Sequence, residues 1–313
     1  MNQPKPLVSL IILSWGRKNE ILETLGELQR QIYKDFEIVV IDQGSADKLP
    51  EEIVRKYPEI KLIRLAENIG VPAGRNLGVL NSGGQFLFFL DNDAVLGHSS
   101  LQKIVDKFKE CPEVGIIGCA MLNYVTKELD KDLWGYPGDW LKYAKSEFES
   151  YTYCGGGCAI KREVFERVGL FWEDLFFGCE EIDYGIRTLD KGYKIIYFPE
   201  AKVFHRVSKE KKTSLRKLDC YVLRNSLWVS WRLLPASRSI PATLTKVLTY
   251  LIKSVKHKYL GLMIKTTVKA FKKAGFIWEK DYKVRYSTYK EYMHLRGQST
   301  FLSKIRRVFQ GQA

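Results

Sequence analysis

Three near-continuous apolar runs mark the first hundred residues: Val8-Ser9-Leu10-Ile11-Ile12-Leu13-Ser14, Phe36-Glu37-Ile38-Val39-Val40-Ile41-Asp42 and Phe86-Leu87-Phe88-Phe89-Leu90. Runs of this length read as strands buried on both faces, as in a mostly parallel sheet. Between the first two, Ile21, Leu22, Leu25, Leu28 and Ile32 recur at helical spacing. A short helix over 50–57 and a strand over 60–65 follow. Strand alternating with helix through short links predicts a doubly wound α/β domain. Further on, the pattern predicts helices over 98–110 and 161–168, the latter ended by Gly169. It predicts strands over 114–118 and 193–198, then a stretch from Pro199 to His205. From Met121 to Tyr153 no period holds, and Trp134, Tyr136 and Trp140 mix with Gly and charge. Irregular stretches of this kind often carry binding residues.

The C-terminal third has a different pattern. Leu244, Val247, Leu248, Leu251, Ile252, Val255, Tyr259 and Leu262 fall on one stripe of an amphipathic helix, flanked by Lys246, Lys253 and Lys256. Charge sharpens the contrast. The net charge is +14. Residues 206–313 hold 25 Lys and Arg against 5 Asp and Glu, while residues 1–205 hold 25 against 31. The basic excess thus belongs to the last third and points to an anionic surface as its partner. The division expected is 1–235 for the α/β domain and 236–313 for a basic helical region. Such helices suit the membrane interface, apolar face down and Lys toward anionic headgroups. The alternative is packing on the first domain or against a second copy of the chain, a homodimer. No nucleic-acid motif is found, and nucleic acid is not expected as a partner.

The remaining composition sets bounds. With 45% apolar and 27% charged residues, the chain has the composition of a globular protein. Six cysteines are too sparse for a disulfide scaffold and read as reduced thiols in a cytoplasmic protein. The N-terminal apolar run is too short for a signal peptide, and no stretch reaches the ~18 apolar residues of a membrane-spanning helix.

Candidate chemistry sits where the apolar runs stop. Asp91 and Asp93, spaced i, i+2, follow Leu90 at the C-terminal end of a strand, where open α/β sheets bind ligands. Two such acids repel unless a positive group lies between them, and a divalent cation sharing its shell with phosphates is the natural partner. A polar turn ending the strand is the bland alternative. Gly70 and Gly74 allow close backbone approach before a helix on which Arg75 can pair with one of the acids. Gly155-Gly156-Gly157 breaks the chain without the Lys-Ser/Thr of a phosphate-binding loop. Its backbone can lie against a ligand or another strand. Glu180, Asp183 and Arg187 share one helical face at i, i+3, i+7, with Glu181 pointing elsewhere. The aromatics Phe176 and Phe177 ahead of them would raise a carboxyl pKa, which suits a general base; an exposed acidic first turn is the alternative. His205 closes the last apolar stretch.

In order, Ser14, Asp42, Asn68–Gly78, Asp91-Asn92-Asp93, Gly155–Gly157, Glu180-Glu181-Ile182-Asp183 and His205 resemble the landmarks of inverting family-2 glycosyltransferases, over about Leu7 to Leu227. The rhamnosyltransferase-like members that build bacterial surface polysaccharides are the most similar by pattern. The resemblance implies a GT-A fold and a set of roles. Ser14, Asp42, Asn68, Gly70, Arg75, Asp91 and Asn92 would bind the nucleotide sugar, with Asp42 on its base or ribose. Asp93, with Asp91 and His205, would hold Mg²⁺ or Mn²⁺ at the diphosphate. One of Glu181, Glu180 and Asp183 would activate the acceptor, although Glu181 stands where the family usually has Asp. Gly155, Gly156, Gly157 and Trp134 are the expected acceptor contacts. The enzyme so implied transfers sugar to a lipid-linked or growing glycan from a peripheral position on the inner face of the cell membrane. A nucleotidylyltransferase would show a Gly-rich basic signature after the first strand, of which Trp15-Gly16-Arg17-Lys18 is a poor version. A non-catalytic carbohydrate- or membrane-binding module is disfavoured by acids at both places.

Overall fold

The computed structural model describes residues 6–46, 49–136, 140–206, 215–279 and 282–297. Residues 298–313 of the expected basic region lie outside the described residues. The elements in chain order are β1 (Val8–Ser14), α1 (Lys18–Leu28), β2 (Phe36–Gln43), α2 (Leu49–Lys56), β3 (Lys61–Leu65), α3 (Val71–Leu80), β4 (Phe86–Asp91), β5 (Ala94–Leu96), α4 (Ser100–Glu110) and β6 (Val114–Asn123). They continue with α5 (Trp140–Tyr143), β7 (Phe148–Glu149), β8 (Gly157–Lys161), α6 (Arg162–Val168), α7 (Glu180–Asp190) and β9 (Lys194–His205). Five helices complete them: α8 (Leu215–Leu233), α9 (Ala236–Lys256), α10 (Leu260–Lys272), α11 (Ala274–Glu279) and α12 (Tyr286–Arg296).

The strands form one sheet in the order β3-β2-β1-β4-β8-β6-β9-β5, with β7 also on β9. From β3 to β4 it is parallel throughout. The near-continuous apolar strands are explained by burial on both faces. Leu10, Ile12, Phe88 and Leu90 enter one core with α1, α2 and α4. Ile11, Val39, Leu87 and Phe89 enter the opposite core with α3, α6 and α7. Beyond β4 the mostly parallel expectation gives way to a mixed sheet, because β8 runs antiparallel to both β4 and β6. The segment from 193 to 205 is one strand rather than two pieces. Its register against β6 slips between Cys119 and Ala120, a bulge that bends β9 around Pro199. That bend carries the strand's end to β5, where His205 pairs with Ala94.

A third core joins both sides of residue 235: Trp172, Leu175, Cys179 and Ile186 pack with Leu223, Leu227, Trp231, Met263 and Tyr292. The C-terminal helices therefore pack on the α/β domain through α8 and α12. The single stripe expected over 244–262 is divided between two helices. α9 ends at Lys256, Lys258 has φ +59°, and α10 starts at Leu260. Tyr259 turns inward and donates to Asp219. Phe88, 1% exposed at the centre of the sheet, reports on the whole α/β core. Phe88→Ala is expected to cost about 3–5 kcal/mol of unfolding free energy in denaturant titration.

Candidate functional site

The parallel register sets three polar groups side by side at one sheet edge. Ser14 pairs with Asp42 across β1 and β2, and Leu13 pairs with Asp91 across β1 and β4. Ser14 is buried, its hydroxyl donating to the Gly16 carbonyl at 3.4 Å. Asp42 is fully buried. Its Oδ1 accepts from the Ser45 hydroxyl and, at 3.3 Å, the Ser45 amide. Its Oδ2 is buried with no hydrogen-bond partner among the described residues. An unsatisfied buried carboxylate oxygen is costly and suits a ligand hydroxyl or N–H. Asn68 shapes the neighbouring loop, its Oδ1 accepting from the Gly70 amide at 2.9 Å. Gly70, at φ +91°, starts α3 where any Cβ would strike Phe176.

Asp91 ends β4, and Asn92 and Asp93 form the tight turn into β5. Because β5 pairs with the end of β9, ligand atoms of Asp91, Asp93 and His205 all lie within 4.8 Å of one another. His205 Nε2 stands 3.4 Å from Asp93 Oδ1. Asp93 is also ion-paired with Arg17. Burial opposes ionisation of Asp93, but the His205 hydrogen bond and charge and the Arg17 guanidinium outweigh it, so its pKa is lowered. Asp91 is raised, first by burial and then by the charge of Asp93. Burial lowers the His205 pKa, and Asp93 and Asp91 more than reverse this. Two carboxylates and an imidazole are a donor set suited to Mn²⁺ or Mg²⁺. The space beside Asp91 exists because residue 156 lacks a Cβ, which would collide with its carboxylate. The residues present thus fit a divalent cation.

Facing this cluster, the first turn of α7 presents both Glu180 and Glu181 to Arg75, each Oε1 3.5 Å from Arg75 Nη1. The expectation that Glu181 points elsewhere is therefore corrected. Consecutive first-turn residues reach one guanidinium because Arg75 is buried between them and the Phe89 and Phe171 rings. Burial would strip its charge, yet Glu181 and Glu180 keep it firmly protonated. Burial, then the charge of Glu181, pushes Glu180 up to about 8, Arg75 resisting. Glu181 is the more accessible, with 21% side-chain exposure against 5%. A Cβ at Gly155 would collide with Glu181 and Arg75, so the glycine break lets the backbone close over this pair. Gly157 already belongs to β8, packed against Met121 and Val203.

Two candidates have other surroundings. Asp183 is fully buried between Arg187, 2.8 Å away, and Arg232 of α8 at 3.1 Å. It anchors α7 on α8. Trp134 packs edge-on against Tyr136 and Tyr197 beside Phe148, within the aromatic core under β9. Sequence reasoning missed Arg17 as the counter-charge of Asp93; its only signal was a basic residue in the first strand-to-helix turn. It also missed Asn76, which ties α3 to 171–173 by donating to the Phe171 carbonyl and Glu173 and accepting from the Phe171 amide.

The sequence profile of the family described as Glycosyl transferase family 2 matches residues 9–169. A Haemophilus influenzae protein, named as an uncharacterized glycosyltransferase, is 29% identical over 173 residues, covering 52% of this chain and 55% of its own. EpsJ of Bacillus subtilis, also named as an uncharacterized glycosyltransferase, is 21% identical over 221 residues, covering 67% and 64%. The chain thus matches little more than half of the first and under two thirds of the second. Among solved structures, Staphylococcus aureus TarS 1–349 in complex with UDP-GlcNAc aligns with TM-score 0.61 at 14% identity, covering 97% of this chain and 92% of its own. The mannosyltransferase PcManGT of Pyrobaculum calidifontis, in complex with GDP-Man and Mn²⁺, aligns with TM-score 0.56 at 17% identity, covering 99% and 87%. The fold is that of these GT-A proteins.

The raised Glu180 carboxyl makes a signed prediction. Its folded pKa lies above its unfolded value, so wild type loses stability as pH rises from about 5 to about 8, while Glu180→Gln does not. The melting temperature of the variant minus that of wild type should become more positive across that range. A flat difference would refute the shift.

Proposed function

The chain belongs to glycosyl transferase family 2, and we propose that it moves a sugar from a nucleoside diphosphate sugar to a hydroxyl of a lipid-linked or growing polysaccharide acceptor, with inversion. One observation carries the reading. The unsatisfied Asp42 oxygen, the Asp91–Asp93–His205 cluster and the Arg75–Glu180–Glu181 group share one end of the sheet. Asp42 would bind the nucleoside. Asp93, Asp91 and His205 would hold Mg²⁺ or Mn²⁺, which when bound neutralises charge developing on the leaving diphosphate. Glu181, the accessible carboxylate, would take the acceptor proton as general base. Arg75 would hold Glu181 in place. Glu180, largely protonated at neutral pH, limits the repulsion. The rhamnosyltransferase-like resemblance favours a bacterial surface glycan as acceptor, and the UDP and GDP sugars of the two structural neighbours are the donor classes to test first.

We also propose that the enzyme works at the inner face of the cell membrane, on α9 and α10. α9 packs a mixed side on α8, where Val247, Tyr250 and Leu251 join the third core beside polar groups. Thr243 accepts from the Trp231 indole at 2.7 Å, Lys246 donates to Ser226 and Ser230 at 2.6 Å, and Lys253 pairs with Asp219 at 3.0 Å. Lys246 and Lys253 are thus not the headgroup-facing residues the sequence suggested, because their stems reach inward to α8. A second apolar set of α9 is left outward, with Ile240, Leu244, Leu248 and Val255 exposed, Leu244 by 68%. On α10, Leu260, Ile264, Val268 and Phe271 are exposed beside Lys265, Lys269 and Lys272. Apolar ridge with flanking lysines is the chemistry of an anionic bilayer surface. Among the described residues no helix is long and apolar enough to cross a membrane.

Two experiments test these readings. In a thermal-shift panel of UDP, GDP and TDP sugars with Mg²⁺ or Mn²⁺, one donor should stabilise the protein. With that donor, Asp93→Ala should abolish transfer and metal dependence. Glu181→Gln should keep donor affinity within about twofold and lose transfer by 10²-fold or more. Wild-type turnover in both variants would sink the assignment. For the membrane, co-sedimentation with phosphatidylglycerol vesicles should exceed that with phosphatidylcholine and fall in high salt, and Leu244→Glu/Leu248→Glu should lower it by about tenfold or more. Unchanged vesicle binding with an altered oligomeric state would instead make this face a contact between copies.

A further inference from the structure

The short turn before α7 adopts an unusual conformation. Phe176 has φ +60°, Gly178 +82° and Cys179 +70°. Two of these are L-residues in the left-handed region, which persists only where surrounding groups enforce it. The enforcing groups are visible in the backbone carbonyls. The Phe176 carbonyl accepts from the Val71 amide at the start of α3, at 2.7 Å. The carbonyls of Leu175, Phe177 and Gly178 all converge on one side-chain nitrogen, Asn225 Nδ2 of α8, at 2.8, 2.9 and 2.7 Å. Arg224 Nη2 also donates to the Leu175 carbonyl at 2.9 Å. Four consecutive carbonyls of the turn are therefore held from outside it.

Asn225 is fully buried, and its Oδ1 accepts from Arg224 Nε at 2.9 Å, which fixes the orientation of the amide. The NH₂ group has two hydrogens for three carbonyls, so one hydrogen is shared between two of them, and Arg224 supplies a second donor at Leu175. The residues immediately after the turn are Glu180 and Glu181. Seven positions after Asn225 on the same helix, Arg232 holds Asp183 at 3.1 Å. α8 thus grips α7 at both sides of the carboxylate pair, once through the turn and once through Asp183.

We infer that Asn225 is a positioning residue for Glu180 and Glu181. By capturing the Leu175, Phe177 and Gly178 carbonyls it holds the left-handed turn that aims both carboxylates at Arg75. The inference rests on the reading that these carboxylates serve sugar transfer. Without the three donated hydrogen bonds, Phe176 and Cys179 can relax to ordinary negative φ. The first turn of α7 then rotates, and Glu181 leaves Arg75 while the cluster at Asp91, Asp93 and His205, carried by other strands, stays in place.

The isosteric Asn225→Asp variant of the full chain tests this, because it keeps the shape and sets a carboxylate against three carbonyl oxygens. Amide hydrogen exchange at pH 8, followed by mass spectrometry, should rise about tenfold or more in peptides covering 171–184 and stay within about twofold in peptides of β1, β2 and β4. Lowering the pH to 5 protonates the new side chain and restores one donor. Exchange in 171–184, corrected for intrinsic rates, should then return toward wild type. Asn225→Ser, which keeps one donor at every pH, should show a smaller and pH-independent rise, and it carries the same readout where the Asp variant does not fold. Unchanged exchange in 171–184, or an equal rise throughout the sheet, would overturn the inference. With the donor found above, kcat should fall about tenfold or more in Asn225→Asp at neutral pH, with donor KM within about twofold. A fall in KM and kcat together would also count against a positioning role. Should no nucleotide sugar be turned over, the transfer reading fails while the exchange result still decides whether Asn225 holds the turn.

Discussion

Like charges buried side by side are tolerated only where cations lie among them, and that constraint organises this protein. The site buries Asp42, Asp93, Glu180 and Asp183, and leaves Asp91 and Glu181 only partly exposed. Three guanidinium arrangements answer it. Arg17 pairs with Asp93, Arg75 lies between Glu180 and Glu181, and Arg187 with Arg232 encloses Asp183. Two buried carboxylate oxygens stay unsatisfied among the described residues, Asp42 Oδ2 and Glu180 Oε2. The first is placed for a ligand. The second belongs to the carboxyl whose pKa burial and Glu181 raise. Charge left over at Asp91, raised by burial and by Asp93, is what a bound cation would relieve.

The C-terminal helices serve this arrangement as well as the surface. α8 contributes Arg232 to Asp183 and Asn225 to the turn before Glu180, and it also receives the inward face of α9. The helix that steadies the carboxylates therefore also carries the outward apolar ridge of α9 and α10. α9 turns Val247, Tyr250 and Leu251 inward with its hydroxyls but leaves Leu244 and Leu248 outward, an apolar ridge that suits an apolar cover. Its inward polar groups are satisfied by Trp231, Ser226, Ser230 and Asp219, so they have specific partners.

Much of the fold was legible along the chain because apolar runs buried on both faces have few other readings. β1, β2 and β4 lie where the runs are, and the acids lie where the runs stop. The mixed half was not legible. Whether β8 runs parallel or antiparallel to β4 depends on the path of 121–156, where no period holds, and nothing in Gly157–Lys161 records direction. The aromatics of 121–153 illustrate the same limit. Trp134 has the look of a loop residue available for binding, yet three rings gathered from β7, β9 and its own loop enclose it.

For the site, residue types and their order determined which groups could carry chemistry: carboxylates after apolar strands, an acidic first helical turn, glycines where backbone must close in. These are local facts, set by strand period and helix spacing. Which acids meet which cations was decided only by tertiary structure. Arg17 and Asp93 are brought together by the parallel pairing of β1 with β4, and His205 reaches Asp93 through the bulge that bends β9. Asp183 and Glu181, two residues apart, part company because one faces α8 and the other faces α3. The same holds for the Leu244 stripe, whose amphipathic spacing is local, while the side turned toward solvent was set by hydroxyl and lysine partners on another helix. Spacing along a chain fixes what a face contains, and packing between elements decides where it points.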